Sequence, residues 1–139
     1  MAKEQTLTII KPDSTEKRLI GKITTILEEN GFEIIAMRRM MLTEEQAKAF
    51  YIEHKDKPFY NSLVAYMTSG PVVVAVLERE GAISGLREVM GATNPAEAAE
   101  GTIRKLYGTS IERNSIHGSA NPADAAREVR FFFSESELI

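Results

Sequence analysis

Two histidines occur in the 139 residues, and one of them, His117, lies in the stretch NSIHGSAN (114–121), among small and polar neighbours with almost nothing to pack it. An imidazole titrates at about 6.5 when unperturbed, so at neutral pH it is mostly uncharged and one ring nitrogen keeps a lone pair for attack on phosphorus. A histidine used in this way needs an acceptor for its other nitrogen. It also needs cations for the charge on the transferring oxygens, and small neighbours that let a bulky anion approach. The sequence has candidates for each need. A lone histidine is also commonly a surface or structural residue, and residue types alone leave that alternative open.

Other chemistries fit less well. The GK of IGKIT (Ile20–Thr24) suggests a P-loop, but that motif needs glycine at 16 and Ser or Thr at 23, where this chain has Glu16 and Ile23. His54 and His117 match no zinc-ligand spacing, and His54, in IEHKDK among charges, reads as exposed and incidental. No G-x-S-x-G surrounds a serine, although Ser119 lies two residues from His117 and a hydroxyl–imidazole pair stays open on spacing.

The elements that must position these residues are partly legible. QTLTIIK (Gln5–Lys11) is β-branched and stopped by Pro-Asp, which predicts a strand delivering Lys11 to a sheet edge. Asp13 and Glu16 have capping-box spacing, and Leu19, Ile20, Ile23, Ile26 and Leu27 recur at helical intervals before Gly31, predicting one helix. Phe32–Leu42 reads as a second strand, Thr43 with Gln46 as a capping box opening a helix to about His54, and Pro58 as the first residue of a short helix. PVVVAVLERE is the plainest strand, and Gly81–Gly91 a helix with Arg87 near its end. Residues 91–114 read as a long excursion with little regular structure, of the kind that is usually functional or disordered. Asn121-Pro122 restarts a helix, and VRFFF reads as the last strand. The order β-α-β-(αα)-β-α-loop-α-β fits an α+β, ferredoxin-like βαββαβ sheet, four antiparallel strands covered by helices, better than a doubly wound one.

Length predicts a single domain over 1–139. The absence of cysteine removes disulfides, thiolate nucleophiles and cysteine-bound metals, and agrees with a cytoplasmic setting. The longest purely apolar run, Pro71–Leu77, falls far short of the roughly 20 residues a spanning helix needs, so no membrane contact is expected. The opening MAKEQTLTIIK lacks a signal peptide's apolar core, and the chain reads as soluble and unprocessed. Net charge is −3 with acids and bases interspersed, so no nucleic-acid surface is expected and any polyanion must be held by cations gathered locally.

Taken together, TLTIIKPD, FYIEHKDKPFYNSLVAYMTSGPVVVAVL, MGATNPAEAAEGTIRKLYG and NSIHGS, in this order along nearly the whole chain, resemble the nucleoside diphosphate kinases. The resemblance implies a ping-pong enzyme, a phosphotransferase. His117 takes the γ-phosphoryl group of a nucleoside triphosphate and passes it to a nucleoside diphosphate. By the same resemblance Lys11 contacts phosphate and sugar, Arg87, Thr93 and Arg104 bind phosphates, and Asn114 reaches the sugar. Phe59 stacks on the base, with Leu63 and Ile111 completing an apolar slot. A π-face is common to all bases, so weak base selectivity follows. On spacing alone Phe59 and Leu63 read as core, and the single charges as surface ion pairs.

Tyr51, Gly118, Ser119 and Glu128 are the remaining supporting residues implied. Tyr51 brings a hydroxyl near the histidine, Gly118 lacks a side chain that could block phosphate, and Glu128 orients the imidazole. Glu53 is a weaker candidate, equally explained as a solvated helix face. After HGS the family usually has aspartate, whereas this chain has Ala120. The missing carboxylate removes a cap bond worth about 0.5–2 kcal/mol if it acts as one, which Asn121 replaces in part. Magnesium is expected to arrive on the nucleotide, bridging its phosphates, since no carboxylate cage is visible. The family forms homo-oligomers, and composition does not distinguish dimer, tetramer and hexamer. Two readings from other classes stay open: a nucleotide-binding regulatory oligomer of poor turnover, and a phosphohistidine carrier charged by another protein.

Overall fold

The computed structural model describes residues 3–138. Four strands, β1 (Lys3–Ile10), β2 (Glu33–Met40), β3 (Val72–Glu80) and β4 (Ile116–Gly118), form one sheet in the order β2-β3-β1-β4. Every neighbouring pair is antiparallel. β1 and β3 lie inside the sheet; most of β3 is an apolar run buried on both faces, and β1 buries Leu7 and Ile9 on one face and Thr6, Thr8 and Ile10 on the other. Leu7, Ile9, Val72, Val74 and Val76 face one core together with α3 (Glu44–Phe50), α4 (Tyr60–Met67) and α7 (Pro122–Phe132). Ile10, Val73, Ala75 and Leu77 face a second core, closed by α2 (Ile20–Glu29), α5 (Ala82–Met90) and Ile103 of α6 (Ile103–Tyr107). The expected α+β architecture is therefore present.

Its fourth strand is not the expected one. VRFFF lies largely in α7, which begins at Asn121 as cap and Pro122 at its first turn and runs to Phe132. Ala125, Glu128, Val129 and Phe132 are buried at helical spacing, so packing overrides the β propensity of the phenylalanines. The edge strand is instead IHG, whose three residues pair Thr8 with Gly118, Ile9 with His117 and Ile10 with Ile116. Histidine thus belongs to the sheet itself. Because side chains alternate along a strand, His117 shares the face of Ile9 with α3 and α7, while Gly118 turns toward α5.

Three local expectations also change. The first helix is split into α1 (Pro12–Glu16) and α2 by a turn in which Arg18 has φ +61. Asp13 caps nothing there; its buried carboxylate binds Tyr66 and Ser115 instead. Pro58 stands in a turn before α4, whose cap position is Phe59. The excursion from 91 to 114 contains a 3-10 turn (Pro95–Glu97) and α6, each begun by a side-chain cap, from Asn94 and Thr102. The Thr43–Gln46 capping box at the start of α3 forms as the sequence predicts.

Candidate active site

β1 ends at Ile10, and the next residue, Lys11, is buried with its Nζ donating to Asn114 Oδ1 at 2.8 Å. Asn114 in turn donates from Nδ2 to the Thr93 carbonyl at 3.1 Å, tying the β4 approach to the loop after α5. Arg104 reaches back from α6, donating to the carbonyls of Gly91 (3.1 Å) and Ile116 (2.9 Å). These bonds gather Lys11 and Arg104 beside His117 in a net-negative protein. Burial, and then the Arg104 charge, lowers the Lys11 ammonium to about 8. Burial, and then Arg87, lowers Arg104 to about 10.

The His117 ring packs edge-on against Phe50 (centroids 5.4 Å apart) and Tyr51 (6.2 Å). Its Nε2 lies 2.8 Å from Glu128 Oε1, on the buried face of α7. Ser119 Oγ donates to the same oxygen at 2.8 Å and accepts the Leu7 N–H, fixing the carboxylate to β1. With Nε2–H given to Glu128, the lone pair is on Nδ1. Burial favours the uncharged ring and holds the His117 pKa below its ordinary value, against the raising effect of Glu128. Burial, the largest single influence, would raise Glu128, but His117, Ser119 and Arg127 together hold its carboxyl below the ordinary range. The ring is therefore neutral and its orienting partner ionised near pH 7.

A cavity of about 760 Å3 opens over this ring, and every residue expected at the site except Ser119 lines it. Ser119 is fully buried and hydrogen-bonds Glu128. Phe59 and Ile111, 46 % and 59 % exposed, offer apolar surface that no core residue covers. A hydrogen bond between Ser62 and Glu112 ties α4 to the loop bearing Ile111. Gly118 has a role other than clearing a path for phosphate. A Cβ there would meet Met90 Sδ at 2.7 Å and Leu86 Cδ2 at 2.9 Å, so glycine lets α5 pack closely on β4 without displacing those side chains.

Two residues not assigned from sequence join the site. His54 is half buried rather than exposed, lines the cavity, and stacks obliquely on Phe59 with centroids 5.5 Å apart. Its spacing of three from Tyr51, which puts both on one helical face, was the available signal. Arg127 lies 3.7 Å from Glu128 and 4.0 Å from Glu53, an exposed residue at the cavity rim, and nothing in the local sequence marks it. Among the described residues, five buried side-chain polar atoms lack a hydrogen-bond partner, and four belong to this cavity: Tyr51 Oη, His54 Nδ1, Arg104 Nε and Arg127 Nε. The cations on the lining, Lys11, Arg87 and Arg104, suit a ligand rich in acceptor oxygens.

Residues 4–138 match the family model described as nucleoside diphosphate kinase. A nucleoside diphosphate kinase of Paracoccus denitrificans is 59 % identical over 139 residues, and one of Gluconobacter oxydans 56 %, each alignment covering all of this chain and 99 % of the relative. Among solved structures, the nucleoside diphosphate kinase of Aquifex aeolicus superimposes with a TM-score of 0.97 at 44 % identity, over 99 % of this chain and all of that one. The Halobacterium salinarum enzyme, solved in complex with CDP, gives 0.95 at 41 % identity over 99 % of this chain and 92 % of its own.

Proposed function

The chain belongs to the nucleoside diphosphate kinase family, so its reaction is transfer of a phosphoryl group from a nucleoside triphosphate to a nucleoside diphosphate, and we propose that His117 relays it. The observation that carries the proposal is the division of labour on one ring: Nε2 is held by Glu128, and Nδ1 is left open on a cavity lined by Lys11, Arg87 and Arg104. In the first half-reaction the Nδ1 lone pair forms a bond to the γ-phosphorus. The bond from that phosphorus to the β–γ bridging oxygen breaks, and the nucleoside diphosphate leaves with the electron pair. In the second, a terminal oxygen of another diphosphate attacks the phosphohistidine and Nδ1 recovers its lone pair. Glu128 holds the Nε2 proton throughout, so no proton need leave the ring.

The cations serve the charge on the transferring oxygens, which in phosphoryl transfer is most of what a protein can contribute. In this reading Lys11 and Asn114 serve the sugar and phosphates and Arg87, Arg104 and Thr93 the phosphates, all from the cavity lining, where Tyr51 packs edge-on against the histidine. Phe59, Leu63 and Ile111 sandwich the base. Mg2+ is proposed to arrive on the nucleotide. When carried there it would lower the charge that the lone pair meets.

The chain acts as a single domain, and the nucleotide substrates support a cytoplasmic setting; no helix among the described residues is long and apolar enough to cross a membrane. Self-association as a homo-oligomer is supported by the edge strand β2, whose Met37 is 51 % exposed, with Met41 just beyond it at 54 %. The deciding experiment is incubation with Mg-ATP. An acid-labile adduct of one phosphate forms, is absent in His117→Ala, and is discharged by GDP or dTDP. An adduct that nucleoside diphosphates do not discharge would remove the relay.

A further inference from the structure

The backbone between Asn114 and His117 takes a conformation that its own sequence does not favour. Ser115 has φ +77, where side-chain-bearing residues are uncommon, and the Ile116 N–H donates to the Asn114 carbonyl at 2.9 Å, closing a three-residue γ-turn of the strained, left-handed kind. The segment that follows β1 holds this turn from outside. The Lys11 N–H donates to the Ser115 carbonyl at 2.8 Å, the Ser115 N–H donates to Asp13 Oδ2 at 3.0 Å, and the hydroxyls of Ser14 and Ser115 lie 2.6 Å apart. Both serines are fully buried and Asp13 nearly so. The other oxygen of Asp13 accepts the Tyr66 hydroxyl, so α4 is moored to the same carboxylate.

None of Asp13, Ser14 or Ser115 lines the nucleotide cavity, and the relay mechanism uses none of them. Their placement has a consequence for the residues that it does use. The β1–β4 ladder ends at Ile10 and Ile116, and the γ-turn takes the chain out of that ladder at once. Only because it does so can the Asn114 side chain return to Lys11 Nζ, while His117, three residues on, keeps its strand position opposite Ile9. We propose that Ser115, clasped by Asp13 and Ser14, is a positioning residue for phosphoryl transfer: the clasp fixes the angle between the Asn114–Lys11 pair and the His117 ring. This rests on His117 as the relay. A strained conformation persists where its surroundings over-determine it, and here the surroundings are the Lys11–Ser14 turn itself.

A purely stabilising role and a positioning role differ in what Ser115→Gly does. Glycine adopts this φ without penalty but loses the hydroxyl that locks it. The rate of adduct formation from saturating Mg-ATP is measured by rapid quench, with the modified residue mapped by mass spectrometry and the melting temperature taken in parallel. The expected result for Ser115→Gly is an unchanged or higher melting temperature with phosphorylation slower by about tenfold, within the loss that a small misplacement of reacting groups brings. Ser14→Ala and Ser115→Ala each slow the step, and the double variant is no slower than either, since the two hydroxyls act as one unit. For Ser115→Gly, a rate equal to wild type, or a rate and melting temperature that fall together, overturns the proposal. An adduct mapped away from His117 in the wild-type chain would refute the relay itself, whereas an adduct at His117 with unaffected variants refutes only the positioning role.

Discussion

Glu128 Oε1 lies 2.8 Å from His117 Nε2 and receives the Ser119 hydroxyl at the same distance, so one buried oxygen decides both the tautomer and the aim of the imidazole. The second carboxylate oxygen faces Arg127 at 3.7 Å, which keeps Glu128 ionised from the far side.

Glu128→Ala should therefore lower kcat more than nucleotide affinity, because the carboxylate is bonded to the His117 ring. A drop of about 100-fold is expected, the size of effect that follows from slight misplacement of a reacting group. Steady-state turnover with binding of ADP measured by calorimetry checks it; a loss confined to affinity would put Glu128 on the substrate instead.

The pH dependence follows from two depressed values. Burial keeps His117 neutral to below its ordinary 6.5, so the acid limb of kcat/KM should lie below that value. Lys11, lowered to about 8 first by burial and then by Arg104, should produce a basic limb near pH 8 as its charge is lost. Because kcat/KM reports the free enzyme and bound phosphate favours the ammonium, the limb in kcat should move upward. The stability term has the opposite sign. Between about 8 and 10.5 the unfolded chain keeps the Lys11 proton and the folded chain does not, so this lysine's contribution to stability grows as pH rises through that window. A basic limb at the ordinary 10.5 would show that the lysine is not buried in the working enzyme.

Phe59→Ala should weaken binding of each nucleoside diphosphate by ~1–3 kcal/mol, to a similar extent for every base, since stacking uses a face that all share. The side chain is nearly half exposed, so the melting temperature should stay close to wild type. Dissociation constants for ADP, GDP, CDP and dTDP test this, and a loss limited to purines would mean that the base is read at its edge.

Asn121 caps α7 through Oδ1, which accepts the Asp124 N–H at 2.8 Å, and the missing carboxylate at Ala120 leaves no cap unfilled. Asn121→Ala should cost about 1 kcal/mol of stability, and Ala120→Asp should change it by less than about 0.5 kcal/mol. Urea unfolding distinguishes the two. A large gain from Ala120→Asp would mean that Asn121 is an inadequate substitute.

Much of the fold was readable because the signals were local. β1 and β3 are β-branched runs, Thr43 and Gln46 sit at cap spacing, and Asn121-Pro122 opens a helix, each decided within a few residues. The errors share a cause. Asp13 has the spacing of a cap, yet its partners are Tyr66 and Ser115, 53 and 102 residues away. VRFFF has strand propensity, but the neighbours that bury Phe132 belong to other elements. His54 looked incidental among its charged neighbours because its ring partners, Tyr51 and Phe59, meet it only once the chain turns at 52–54.

The sequence by itself determined the inventory: one reactive-type histidine among small residues, the lysine and arginines to meet a polyanion, and the order of motifs that carries the family likeness. Only the tertiary structure decided which imidazole nitrogen is open, that the histidine lies on the edge strand, and that Gly118 serves packing. The physical reason is range. Residue type and short spacing fix what a side chain can do, whereas the partner that holds it, such as Asn114 for Lys11 across 103 residues, is supplied by sheet register and helix packing.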